Sequence, residues 1–234
     1  SSIAEEFGVF EMPYIIKSRE HMKRVVEKLN DKYFVPAAKE KGVLILGTWE
    51  NGFRHITNNV RPIVKPEDLK GIKLRVPAGE WRVKMFQAYG ANPSPMAYSE
   101  VFTALKTGVM DGQENPYPQI WGGKFHEVQK YLSLSGHVFA PCWLVASTTH
   151  FPKLPEDVQK VVSETAREME DYAREVAAKL DSELLDKMTS TSNIQVNEVD
   201  KDAFIAQSAA IYEEFGKSVP KGAELIKEIQ ALAE

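Results

Sequence analysis

One stretch of the sequence, residues 155–188, contains no glycine and has its single proline at the first position. Apolar residues recur along it at a spacing of three or four, which is typical of one face of an α-helix. Pro155 suits the first turn of a helix, and Glu156 and Asp157 suit the positive end of its dipole. At 1.5 Å per residue, about 34 residues give a helix of roughly 50 Å, longer than one small domain is wide. The pattern predicts a helix that spans two lobes or is broken within the stretch.

Shorter apolar runs alternate with helical patterns along the rest of the chain. "GVLILG" (42–47) is a continuous apolar run between glycines and predicts a strand buried on both faces. Ser18 is a suitable N-cap for a first helix, and Gly90 is suited to end a second one, "GEWRVKMFQAYG". Further strands are predicted at "HITNN", "IKLRVP", "VMDG", "YLSLSG", "CWLVAS" and "NIQVNEV", and further helices over 99–108, from 115 onward, over 201–215 and over 221–233. Alternating strands and helices favour an α/β fold.

Composition and motifs exclude several classes of function. The net charge of -4 over 234 residues argues against nucleic-acid binding, and no apolar run reaches the roughly 18 residues of a membrane span. Cys142 is the only cysteine, which excludes an internal disulfide, and its apolar setting indicates an inert thiol. The scattered histidines lack the spacing of metal ligands, and Asp111 and Glu114 are explained by a turn. Neither a cofactor nor a catalytic set is predicted.

The stretch "GIKLRVPAGE" (71–80) places an arginine at the end of a predicted strand. By alternation along the strand, its apolar residues face one way and Lys73 and Arg75 the other. Ligands of open α/β sheets bind beyond the carboxyl ends of the strands, and a guanidinium matches a carboxylate in a bidentate manner. Arg75 is therefore a candidate carboxylate ligand. The alternative is a surface arginine that pairs with Glu80 or remains in water.

Arg54, in "ENGFRHITNN", also follows a predicted strand, and two arginines at two strand ends make a better anion site than one. Asn115, in "VMDGQENPYPQIW", precedes a proline. Its side chain is expected either to cap its own helix or to contact a ligand, and these roles are compatible. Aromatic residues near these segments, including Trp49, Tyr98 and Trp143, fit an apolar pocket with few polar anchors, and equally an ordinary core.

Four segments together resemble the DctP-type solute-binding proteins of TRAP transporters. They are "NGFRHITNN", "PEDLKGIKLRVP", "YGANPSPMAYSEVFTALKTGVMDGQENP" and "LPEDVQKVV", in this order along the chain. The resemblance extends from about residue 11 to the end of the chain. The combination of "LRVP" with "ALKTGVMDGQENP" is its most specific part.

The resemblance implies roles for particular residues. The arginine of "LRVP", Arg75, would form the main salt bridge to the ligand carboxylate, and Arg54 of "NGFR" would assist it. Asn115 of "ENP" would contact the ligand, and Tyr98, before "SEV", would lie against it. The long helix over 155–188 would cross both lobes.

The resemblance also implies an architecture and partners. The fold would be a two-lobed α/β periplasmic-binding-protein fold of class II type. Residues 1–50 and 138–170 would form lobe I and residues 51–137 and 171–234 lobe II, with hinges near 50 and 138. The protein would be periplasmic, made with a signal peptide and not itself membrane-spanning. It would capture a small organic acid and deliver it to the membrane permease of a TRAP transporter, with no cofactor, no metal and no chemistry.

Two features depart from the family pattern. The family has further residues ahead of the point where this chain begins, so we expect a fragment or a processed form. Ala78 stands where sialic-acid-binding members have asparagine, which favours a smaller or more apolar acid. Three alternatives remain open: a sensory binding module of the same fold, an enzyme on this fold, and a remnant that binds nothing.

Overall fold

A computed structural model describes residues 3–233. The strands of this part of the chain are β1 (Val43–Asn58), β2 (Lys73–Val76), β3 (Asn92–Pro95), β4 (Gly112–Asn115), β5 (Tyr131–Ser147) and β6 (Gln195–Asn197). The α-helices are α1 (Arg19–Leu29), α2 (Val35–Glu40), α3 (Glu80–Ala88), α4 (Tyr98–Lys106), α5 (Tyr117–Gly122), α6 (Glu156–Thr191), α7 (Lys201–Ala206), α8 (Ala209–Ser218) and α9 (Gly222–Ala231). The α/β class predicted from the sequence is confirmed.

The six strands form one mixed sheet in the order β3-β2-β4-β1-β5-β6. β2 is parallel to both β3 and β4, whereas β1 is antiparallel to β4 and β5. The carboxyl ends of β2 and β4 therefore lie at the same edge. This edge brings Arg75 of β2 and Asn115 of β4 into one region, beside the middle of β1.

Two long strands form the centre of the sheet, where the sequence predicted four short ones. β1 has 16 residues and includes both "GVLILG" and "HITNN", and β5 has 17 and includes both "YLSLSG" and "CWLVAS". The expected breaks at glycines are irregularities within the strands. The ladder between β1 and β5 shifts register at Ile45/Gly47, Glu50/Gly52 and Arg54/Ile56. Glycine permits such bulges because it adopts backbone angles that other residues avoid, such as the φ of +94° at Gly52.

The long helix predicted over 155–188 is confirmed. α6 runs unbroken for 36 residues, a length of roughly 54 Å. Near its start it lies directly on β1, since a Cβ at Gly47 would be only 2.8 Å from the carbonyl oxygen of Ala166. Near its end, Leu184 and Met188 are buried. Within residues 3–233, no helix has both the length and the apolar character needed to cross a membrane.

The buried apolar side chains form two clusters. The larger joins residues 4–38 to residues 56–91 and 204–229, and the smaller joins residues 101–132 to residues 184–194. α6 contributes Leu184 and Met188 to the smaller cluster. The division of the chain into two lobes at the boundaries given above stays a prediction.

Several local predictions are confirmed and others are wrong. The side chain of Ser18 accepts a hydrogen bond from the backbone N–H of His21 at 3.0 Å, and Gly90 ends the second predicted helix with φ +89°. "GVLILG" is only partly buried, and of "VMDG" only Gly112 belongs to a strand, as the first residue of β4. The helix predicted over 201–215 is divided into α7 and α8. Pro116, and not Asn115, is the N-cap residue of α5.

Candidate ligand-binding site

Arg75 is a buried cation with no acidic partner. Its exposed fraction is 3%, and its Nε and Nη2 donate to the carbonyl oxygen of Met96 at 2.9 and 2.6 Å. No carboxylate of the described residues lies within ion-pair distance of it, and Glu80 lies nearest Lys84 instead, at 4.0 Å. Burial lowers the pKa of Arg75. The nearby carboxylate of Glu114 opposes this shift, while the neighbouring cations Arg54 and Arg82 add to it. Neither alternative, a pair with Glu80 or a solvated surface arginine, describes this residue.

Arg54 lies within β1, beside the end of β4, and not beyond a strand end as the sequence suggested. Its Nε donates to Glu114 Oε2 at 2.6 Å, and its Nη2 donates to Glu114 Oε1 at 3.0 Å. Nη2 also reaches the carbonyl oxygen of Glu114 at 2.8 Å and Asn115 Oδ1 at 3.0 Å. Nη1 makes no hydrogen bond to the residues described. Two of the three guanidinium nitrogens of Arg54 thus donate to Glu114, and Nη1 remains available as a donor.

Glu114 is fully buried at the centre of a charged network. Besides Arg54, its Oε2 accepts from Arg82 Nη1 at 2.6 Å and lies 3.0 Å from His137 Nε2. Burial alone raises the pKa of Glu114, but the two guanidinium groups outweigh it and hold the pKa well below its usual range. Glu114 is therefore a permanent carboxylate, and the turn that explained it in the sequence does not account for its position.

His137 completes the contacts of Glu114 as a neutral imidazole. Burial lowers the pKa of His137, against the opposing effect of Glu114. An ionised carboxylate only accepts hydrogen bonds, so Nε2 carries the proton and donates to Glu114. Nδ1 then accepts from Ser135 Oγ at 2.8 Å.

Arg82, on α3, links this network to Glu11. It is 2% exposed, and its Nη2 pairs with Glu11 Oε2. Glu11 lies in the segment that precedes α1, and its side chain is 35% exposed. The sequence reasoning missed Arg82, although it shares the 3–4 spacing of the buried residues Phe86 and Tyr89 on the same side of α3. A cation on a buried stripe is the signal that could have found it.

Asn115 does not cap α5. Its Oδ1 accepts from Arg54, and its Nδ2 donates to Gln113 Oε1 at 2.6 Å. Gln113 in turn donates to Thr57 Oγ1 at 2.9 Å. All of these groups are buried. The amide of Asn115 therefore holds Arg54 in place from the side of β4.

The three aromatic candidates have different surroundings. Tyr98 is 43% exposed, donates to the carbonyl oxygen of Gln119 at 2.6 Å, and lies close enough to Arg75 to interact with its charge. Trp143 packs edge-on against Phe7, with ring centroids 5.0 Å apart, and lines a cavity with Arg54. Trp49 does not line this cavity, and its Nε1 lies 3.5 Å from the carbonyl oxygen of Ala166 on α6.

The cavity next to the network has a volume of about 300 Å³. Three charged residues line it, namely Glu11, Arg54 and Arg82, and its other walls are mainly apolar and aromatic. Pro77 and Gly79, directly after β2, form one side of it. Arg75 lies next to this cavity in the chain but does not line it. Within residues 3–233, no group of His, Cys, Asp or Glu is arranged to hold a metal ion.

These features are those of an α/β binding protein. Its sheet has two long central strands, the long helix α6 packs against β1, and a cluster of buried cations lies at the carboxyl ends of β2 and β4. The sequence model of the family described as bacterial extracellular solute-binding protein, family 7 (DctP), matches residues 1–218. The chain belongs to this family. The members of this family, and the solved structures that resemble this chain, are substrate-binding proteins and not enzymes.

Relatives of known ligand resemble the chain over almost its whole length. The 2,3-diketo-L-gulonate-binding periplasmic protein YiaO of Escherichia coli is 31% identical over 230 residues, which are 98% of this chain and 70% of that protein. A TRAP periplasmic solute-binding protein of Sulfitobacter, solved with β-D-galacturonate, has a TM-score of 0.93 and 30% identity over 98% of this chain and 76% of its own. One from Shewanella oneidensis, solved with succinate, has a TM-score of 0.93 and 27% identity over 100% and 76%.

These likenesses confirm the two-lobed periplasmic-binding fold and the solute-binding role in TRAP transport. Solute-binding proteins of this kind work together with membrane permeases. The roles of individual residues are not tested by the comparisons and remain predictions.

Proposed function

We propose that this chain captures a small organic acid in the periplasm and delivers it to a TRAP permease, with Arg75 as the residue that binds the acid's carboxylate. The bacterial extracellular solute-binding family supports an exported location. The relatives solved with galacturonate and with succinate support a carboxylate as the ligand.

One observation carries the proposal: Arg75 is a buried guanidinium whose described partner is a single carbonyl oxygen. Buried charges in proteins are ordinarily paired with an opposite charge, because an unpaired one is costly. Glu114, the nearest buried carboxylate of the network, already bonds Arg54, Arg82 and His137. An incoming carboxylate would provide the missing counter-charge and accept from the Nη1 of Arg75, which has no partner among the described residues.

The other candidate residues would support that contact in different ways. Arg54 would offer its remaining Nη1 as a second donor, while Asn115 holds its guanidinium in place. Tyr98 would cover one side of the acid beside Arg75, and Trp143 would provide an apolar wall in the neighbouring cavity. Trp49 was predicted as a ligand contact as well. It would act through α6 and the nearby strand, since it contacts α6 and does not line the cavity.

Closure of the two lobes would strengthen the binding. The register shift of β1 at Glu50/Gly52 lies opposite Pro141 and Ala140 of β5, close to the hinge positions predicted near 50 and 138. The extra residue there belongs to β1, and a bulge of this kind is a place where a strand bends. Bending there would exclude water, and a lower local dielectric strengthens an arginine–carboxylate pair.

A thermal-shift screen against organic acids tests the proposal. An acid present at 100 times its dissociation constant adds about 2.7 kcal/mol of stability, a rise of roughly 5–10 °C in melting temperature for a chain of this size. Arg75→Ala should abolish the shift, and Arg75→Lys should reduce it strongly because the planar fork is lost. Arg61→Ala is the matched control, since the guanidinium of Arg61 also donates to backbone carbonyls, those of Asp68 and Lys70, but at a partly exposed position.

The screen has two informative failures. Unchanged shifts in Arg75→Ala would show that another residue binds the carboxylate. The absence of any shift with dicarboxylates, sugar acids and aromatic acids would refute the binding of organic acids by this chain.

A further inference from the structure

We propose that Glu11 restricts the site to acids that carry one negative charge, so that monocarboxylates bind and matched dicarboxylates are rejected. This inference rests on the proposed function, because it names the class of acid that the same site selects. It follows from the charge balance of the network and from the place of Glu11 in the cavity.

The network and Arg75 beside it together hold one more positive than negative charge. Arg54 and Arg82 balance Glu11 and Glu114, with which they form ion pairs. Arg75 is close enough to feel the charges of Glu114 and of the two arginines but has no ion-pair partner among the described residues. His137 adds no charge, since it is neutral. One carboxylate from a ligand makes the network neutral, whereas a second would leave it with an excess negative charge in a buried place. Desolvated groups that remain unpaired oppose binding, so the balance favours a single charge.

Glu11 lies on the wall of the cavity that the far end of a ligand held by Arg54 would enter. It lines the same cavity of about 300 Å³ as Arg54 and Arg82. Its Oε2 pairs with Arg82, while Oε1 has no hydrogen-bond partner among residues 3–233. That volume is at the lower end of the range for small-molecule sites, so a ligand tail in the cavity lies close to Glu11. A carboxylate there is repelled, and a hydroxyl there donates to Oε1.

The test compares acids that differ only in their second charge. D-gluconate has a CH₂OH group where D-glucarate has its second carboxylate. Pentanoate has a CH₃ group where glutarate has its second carboxylate. Titration calorimetry on the purified chain gives the ratio of dissociation constants within each pair. In whichever pair binds, we expect the wild type to bind the monocarboxylate at least tenfold more tightly than the dicarboxylate. Glu11→Gln should lower that ratio at least tenfold.

Two further variants separate charge from structure. Glu11→Asp keeps the charge and should keep the wild-type preference. Glu80→Gln is the matched control, since Glu80 is exposed and near the start of α3 but does not line the cavity. Melting curves without ligand show whether each variant is folded.

Each outcome decides between the two proposals. A dicarboxylate that binds the wild type as tightly as its monocarboxylate partner overturns the role of Glu11 and leaves the proposed function intact. The same holds if folded Glu11→Gln keeps the wild-type ratio. If Glu11→Gln does not fold, the ratios of the wild type and of Glu11→Asp decide. If no acid of any kind binds the wild type, the proposed function fails and this inference fails with it.

Discussion

Removal of the charge of Glu114 should destabilise the fold more than any other single change in the charged network. Glu114→Gln keeps the size of the side chain but leaves Arg54 and Arg82 as buried cations without their shared carboxylate. Removal of one partner from a buried ion pair costs about 3–5 kcal/mol. The amide oxygen can still accept one hydrogen bond, so we expect a loss near the lower value, about 3 kcal/mol. A domain with an unfolding free energy of about 5–15 kcal/mol loses a large part of its stability in this way.

Urea denaturation at pH 7, followed by circular dichroism, measures the loss. The dependence of the unfolding free energy on urea should stay the same in wild type and variant, which would show that the two native states are equally compact. Glu214→Gln is the control, since Glu214 forms an exposed pair with Lys84 at 2.7 Å and such pairs contribute at most about 1 kcal/mol. A loss below 1 kcal/mol in Glu114→Gln would refute the view that this carboxylate holds the two arginines in place.

The pH dependence of this difference follows from the sign of the pKa shift. The pKa of Glu114 is lower in the folded protein than in the unfolded chain, where it is about 4.3. Its contribution is therefore fully present above pH 4.3 and is lost as the pH falls toward its folded value. The gap between wild type and Glu114→Gln should be constant from pH 7 to pH 5 and shrink below about pH 4.

Three other changes test separate parts of the fold. Burial lowers the pKa of His55 to about 3, whereas its pKa in the unfolded chain is about 6.5. Below pH 6.5 the unfolded chain therefore binds a proton that the folded protein does not, so the free energy of unfolding falls with pH. His55→Gln should reduce this fall between pH 6 and pH 4 by about 1.4 kcal/mol per pH unit, as measured by urea denaturation at each pH. Gly112→Ala should cost more than about 2 kcal/mol, since its Cβ would lie 2.3 Å from the carbonyl oxygen of Thr57 on β1, and an unchanged melting temperature would contradict this. Arg19→Ala should cost about 1–3 kcal/mol in the same denaturation assay, because it leaves the buried carboxylate of Glu50 without its cation at 2.6 Å. A loss equal to that of Arg61→Ala, which removes a partly exposed arginine without an ion pair among the described residues, would refute that role.

The elements that follow from local pattern were predictable. α6 has one periodicity over 36 residues and no residue that breaks a helix, so its length was evident in the sequence. The cap at Ser18 and the end of α3 at Gly90 depend on neighbours along the chain. The lengths of β1 and β5 depend instead on each other. Their glycines look like breaks in the sequence, but the ladder between the two strands continues across them because each irregularity is accommodated by the partner strand.

Only part of the charged network was predictable from the sequence, because the rest depends on tertiary contacts between distant segments. Arg54, Arg75 and Asn115 belong to segments whose sequence resembles the family, and the sheet brings them to one edge. Glu11 and Arg82 have no signal in their own segments that connects them, since 71 residues separate them and they meet only through tertiary packing. A sequence can show that a cation lies on a buried helix face, but it does not show which carboxylate the cation meets.

The two arginines predicted as ligand residues therefore differ in role, and the difference has a physical cause. Arg54 is held by a permanent carboxylate and an amide, so most of its charge is satisfied within the fold. Arg75 is also buried but donates only to the carbonyl oxygen of Met96, and its pKa is lowered by burial and by the cations beside it, against the opposing effect of Glu114. A buried charge without an ion-pair partner destabilises the ligand-free protein, and the carboxylate contact proposed for Arg75 would remove this penalty. Because the added negative charge would also reduce the repulsion among the three arginines, we expect binding at Arg75 and closure of the lobes around it to favour each other.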